Sequence, residues 1–144
     1  MSYSQDRECF VCLRLKASET LKAAHSVWPD EQSVARRIGL EAARIISQCY
    51  FKKPTFFCGK PNRTLLGGLF YLLGLQQGAP VTQEHLRILD VTPESIKISK
   101  DKWVESFPEL FSDFEVREES NVVRMFFRGR PAHEVVYEFQ RKKE

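Results

Sequence analysis

The chain has 144 residues, the usual size of one domain and enough for a core that needs no disulfide or metal staple. Hydrophobic residues make up 42% and charged residues 28%, which excludes a disordered polyelectrolyte. The net charge of +3 permits a nucleic-acid partner without demanding one, and no apolar run is long enough to span a membrane.

Residues 1–9 are polar and lack the apolar centre of a signal peptide, so the protein is expected to be intracellular. In a reducing compartment Cys9, Cys12, Cys49 and Cys58 are expected as thiols or metal ligands rather than disulfides. Residues 9–27 read as a first helix, with Leu13, Ala17, Leu21 and Ala24 on one stripe, ended by Pro29. Residues 31–50 form a second, with Val34, Ile38, Ala42, Ile45 and Ile46 facing inward. Residues 62–75 are almost wholly apolar, which places this helix at the centre of a bundle, capped by Asn62 or Thr64. Gly67 and Gly68 lower its helix propensity, and close helix packing is the expected reason for them.

Thr82 is a good N-cap for a short helix over 83–89. A tight turn at Asp90-Val91-Thr92 follows, and Thr92 with Pro93 starts a helix running to about Phe107, with Ile96, Trp103, Val104 and Phe107 inward. After Pro108 the period changes to two. Residues 114–118 and 122–127 predict a hairpin, and 132–143 a last short helix.

The spacing over 78–107 matches a helix-turn-helix, whose second helix must project to enter a major groove. Its polar positions are Ser95, Lys97, Ser99, Lys100 and Lys102. Lysines there suit phosphates and serines suit base edges, although the same pattern describes the solvated side of any amphipathic helix. A hairpin directly after a helix-turn-helix is the order of a winged helix, with Arg117, Arg124, Arg128 and Arg130 on strands and tip. The alternative is a hairpin that covers an open side of the bundle.

The segments Gly59-Lys60-Pro61-Asn62-Arg63-Thr64-Leu65-Leu66-Gly67-Gly68-Leu69-Phe70-Tyr71-Leu72-Leu73, Pro80-Val81-Thr82-Gln83-Glu84 and Val91-Thr92-Pro93-Glu94-Ser95-Ile96 carry a resemblance. Over residues 31–111 the chain resembles one cyclin-like repeat of the archaeal and eukaryotic transcription factor B family. The resemblance implies an all-helical cyclin fold that meets promoter DNA through the helix-turn-helix. This chain has room for one repeat where that family has two, and Lys97 and Lys100 stand where the family favours arginine.

Other constellations are weaker. Cys9, Cys12, Cys49 and Cys58 could supply four thiolates to zinc, but the second pair lacks the close spacing of the first, and no metal or other cofactor is expected. His25, His85 and His133 are scattered, and there is no phosphate loop or nucleophile elbow, so an enzyme is not expected. Tyr50, Phe51, Phe56 and Phe57 beside Lys52 and Lys53 read as core aromatics at a helix corner, or as a stacking surface for single strands.

The combined expectation is a mainly helical fold. A cyclin-like five-helix bundle with a helix-turn-helix-like segment occupies 1–111, and a β-hairpin and C-terminal helix occupy 112–144. The expected function is a transcription-associated protein binding double-stranded DNA through Ser95, Lys97, Ser99, Lys100, Lys102, Arg117, Arg124 and Arg128. The alternative is a cyclin-like protein-interaction module that binds no DNA. A basic stripe joining Lys97, Lys100, Arg117 and Arg124 separates the first from the second.

Overall fold

The computed structural model describes residues 17–143. Helix α1 (Ala17–Val27) and α2 (Gln32–Lys52) pack as a pair joined by the Trp28–Pro29 turn. A 3₁₀ turn (Pro54–Phe57) leads to α3 (Asn62–Gln76), a second 3₁₀ turn (His85–Leu89) and α4 (Pro93–Ser106). Strands β1 (Phe114–Glu119), β2 (Val122–Phe127) and β3 (Arg130–Pro131) precede α5 (Ala132–Lys143). The part of the first expected helix that covers 9–16, with Leu13, lies outside the described residues.

Helix α3 is buried from Leu65 to Leu75 without interruption, as an apolar-all-round helix must be. Its start differs from expectation. Pro61, not Asn62 or Thr64, holds the cap position, and its carbonyl accepts from the amides of Thr64 and Leu65. Its end is fixed by Gly78, whose φ of 72° lets the amide of Ala79 reach the carbonyl of Gly74 at 2.8 Å.

Around α3 the other helices pack through small residues. Gly39 of α2 lies against Leu21 and Ala24 of α1, while Gly67 and Gly68 admit Ile96 and Ser99 of α4. An aromatic cluster of Phe56, Phe57, Trp103, Phe107 and Phe111 closes one end, and the Trp103 indole donates to the carbonyl of Leu65 at 3.0 Å. Phe51, expected among these core aromatics, is 84% exposed. It is the next residue after Tyr50 on α2, and the helix rotation between them turns its ring outward.

The three strands form one antiparallel sheet in sequence order, with Phe114 opposite Phe127 and Glu119 opposite Val122. Ser120 and Asn121 both have positive φ, as the tight two-residue hairpin turn requires. Arg128 and Gly129 repeat that device and fold β3, a strand absent from the sequence expectation, back onto β2. Phe114, Met125, Phe127, Val135 and Val136 join the same hydrophobic core as the bundle, so hairpin and α5 are packed onto it.

The packing of α4 on α3 is tight enough to test. A Cβ on Gly68 would clash with Ser99 Oγ and stand 2.8 Å from the Lys100 amide nitrogen. Gly68→Ala should cost about 1–3 kcal/mol of overpacking in a urea titration. Adding Ser99→Ala should not restore full stability, because the clash with the backbone remains.

Candidate functional site

The segment from Thr82 to Ser106 is built by local chemistry. Thr82 Oγ1 accepts from the His85 amide at 2.9 Å and so starts a turn with Leu86 fully buried. The helix expected over 83–89 is a 3₁₀ turn instead, since it is too short to propagate an α-helical ladder before Asp90. Asp90 adopts φ 62°, reversing the chain. Thr92 caps α4 by accepting from the Ser95 amide at 3.1 Å, and Pro93 takes the first helical position. The Ser95 hydroxyl is held in the same cap, 2.9 Å from Thr92 Oγ1.

Two residues expected on the DNA-facing side are on the inner side. Ser99 is 7% exposed and donates to the carbonyl of Thr64 at 2.8 Å. Lys100 is 4% exposed, pairs with Asp101 at 3.3 Å, and lies over the Tyr71 ring and beside Met125 Sδ. The close approach over Gly68 draws both inward. Burial lowers the Lys100 ammonium pKa below its ordinary value, partly offset by Asp101. Burial, then the charge of Asp101, raises the Tyr71 hydroxyl above the usual phenol range.

What remains outward on α4 is Glu94, Lys97, Ile98, Lys102 and Glu105, with Ile98 61% exposed. At 100° per residue, Glu94, Ile98 and Glu105 form the centre line of that face, and Lys97 and Lys102 flank it on opposite sides.

The hairpin arginines are mostly engaged. Arg117 pairs with Glu115 at 2.9 Å and stacks over Phe126, and that pairing raises its pKa. Arg128 pairs with Asp113 at 3.3 Å across Phe127, and Arg130 with Glu138 at 2.6 Å. Arg124, directly opposite Arg117 in the register, forms no ion pair among the described residues, and neither do Lys97 or Lys102. The stripe through Lys97, Lys100, Arg117 and Arg124 is therefore interrupted at Lys100 and partly neutralised at Arg117.

The cysteines do not assemble a metal site among the described residues. Cys49 is fully buried on α2, and its thiol is pushed up to about 11 by desolvation, which disfavours the thiolate that zinc requires. Cys58 is disulfide-bonded, against the expectation of thiols. Cys9 and Cys12 lie outside the described residues. His85 is structural, with Nε2 2.7 Å from the carbonyl of Val27. At the helix corner Phe56 and Phe57 are core, while Lys53 Nζ donates to the Ser106 carbonyl at 2.8 Å and Lys52 pairs with Glu109.

Two cavities have no signature in the sequence, because they form only where α5 meets the bundle. One, of about 440 Å³, includes Trp28, Asp30, Val81 and Phe139 in its lining. The other, of about 380 Å³, includes Tyr71, Glu84, Pro93 and Tyr137. Comparison with protein-family models, with curated proteins and with solved structures finds no match to this chain.

The buried pair gives a direct test. Asp101→Asn leaves the Lys100 charge uncompensated and Lys100→Met leaves the buried Asp101 carboxylate so, and each should cost about 3–5 kcal/mol, whereas the double variant, with neither charge, should be tolerated far better. The unfolded chain holds the Lys100 proton to higher pH than the folded one, so folding gains stability as pH rises toward the ordinary lysine value of 10.5. In urea titrations from neutral to alkaline pH, this rise should be present in wild type and absent in Lys100→Met.

Proposed function

We propose that the chain is a single cyclin-like repeat serving as a transcription-associated module whose partner on the helix-turn-helix side is a protein. Supporting the repeat are five helical segments in order, α1, α2, α3, the His85–Leu89 turn and α4, with the most apolar one in the middle. The association with transcription rests on the resemblance of residues 31–111 to transcription factor B repeats.

The observation that carries the choice of partner is the outward face of α4. A helix entering a major groove offers donors along its centre line. Here that line is Glu94, Ile98 and Glu105, and Lys100 is inside. Carboxylates face phosphates badly, while an exposed isoleucine between charged residues suits a protein surface with an apolar centre and polar rim. Ile88, 58% exposed on the preceding turn, adds a second apolar position to the same segment.

DNA binding is the second reading, and one observation favours it: Lys97, Lys102 and Arg124 stand outward without ion pairs among the described residues.

Titrating labelled duplex DNA across a salt series separates the two. The expected result is weak binding that Lys97→Ala with Lys102→Ala hardly changes. Tight binding whose salt slope falls by about two in the double variant, roughly one for each phosphate no longer neutralised, would instead establish the DNA reading.

A further inference from the structure

Glu94, Ile98 and Lys102 follow one another at intervals of four on α4, and all three are exposed. Successive members lie about 6 Å apart along the axis and about 40° apart around it, so they form one ridge running obliquely across the outward face. Ile98, 61% exposed, is its middle. Glu94 and Lys102 form no ion pair among the described residues, and at about 12 Å along the axis they are too far apart to pair with each other. Acid and base thus stand at equal distances on either side of an apolar centre.

That order is complementary to itself when reversed. Turned end for end about a two-fold axis through Ile98, the ridge meets a second copy with Glu94 against Lys102 of that copy, and Lys102 against its Glu94. Ile98 then meets Ile98. A parallel copy would instead set like charges together. Rows of residues four apart also suit this use, because aligning such rows on two helices gives the commonest helix packing, at a crossing angle of about −50°.

We propose that the outward face of α4 is a contact between two copies of this chain, antiparallel and two-fold symmetric, with Ile98 on the axis. The proposal rests on the protein-interaction reading above and names the partner. A two-fold contact uses one patch twice, so a single isoleucine supplies both halves of the apolar centre, and one acid and one base supply two ion pairs. Duplex DNA would answer Lys102 but repel Glu94. One helix from each copy makes a small contact, so the association is weak and depends on concentration.

Sedimentation equilibrium of the full chain, loaded from about 10 μM to about 1 mM, covers the range of a small contact. The apparent mass should climb from that of one chain toward that of two. Ile98→Asp places two carboxylates on the axis and should hold the chain monomeric. Glu94→Lys alone, or Lys102→Glu alone, turns two attractions into repulsions and should weaken association about tenfold. Glu94→Lys with Lys102→Glu restores opposite signs at both places and should bring association back near that of wild type. The three positions are exposed, so circular dichroism should show an unchanged fold in every variant.

A chain that stays monomeric at the highest loading overturns the proposal. So does association that survives Ile98→Asp, or that the paired charge exchange fails to restore. A monomer whose duplex binding is weak and independent of Lys97 and Lys102 rejects the second copy while the protein-interaction reading stands. A monomer with tight, lysine-dependent duplex binding overturns both.

Discussion

Gly68 sets how closely α4 can approach α3, and much of the molecule follows from that distance. With no Cβ in the way, Ser99 reaches the Thr64 carbonyl, which gives its buried hydroxyl a hydrogen-bond partner. The same approach carries Lys100 under the hairpin, where it touches Met125 of β2. A larger residue at position 68 would push α4 outward and loosen the packing through which the sheet is anchored to the bundle.

Burying Lys100 has a cost that geometry must offset. An unpaired ammonium in the interior is strongly unfavourable, and the Asp101 carboxylate at 3.3 Å with the Tyr71 ring at 5.4 Å compensates only because both are equally enclosed. Replacing both members, as in Lys100→Met with Asp101→Asn, would avoid that cost. The pair is thus better understood as fixing where the hairpin sits than as a source of stability. An apolar contact tolerates sliding, whereas a charge in the interior accepts few positions for its counter-charge.

Much of the framework is legible in the sequence because its signals are local. The apolar run of α3, the Thr92-Pro93 start of α4 and the change to period two after Pro108 each involve neighbours along the chain. Lys100 and Ser99 depart from expectation for a related reason. Charge alone puts Lys100 outside, yet it is four residues after Ile96 and four before Val104, both inward, so helical period puts it inside. Ser99, four before Trp103, obeys the same period. A charged residue on an apolar stripe is the sign of a buried ion pair that the sequence does carry. The cavities have no such sign, since Trp28 and Phe139 lie near opposite ends of the described chain and only tertiary packing brings them to one groove.

The hairpin and α5 change what the helical bundle offers to a partner. Val135 and Val136 seat α5 in the core, which leaves Phe139 and Gln140 to stand across from Trp28 and Thr82. Arg130, paired with Glu138, ties the last strand to the middle of that helix. An added helix that buries its own apolar stripe need not close every gap beside it. Here Phe139 stands across such a gap from Trp28, while Arg117, Arg128 and Arg130 of the adjacent sheet are held in ion pairs. Lys97, Lys102 and Arg124 stand outward on α4 and β2 without ion pairs among the described residues.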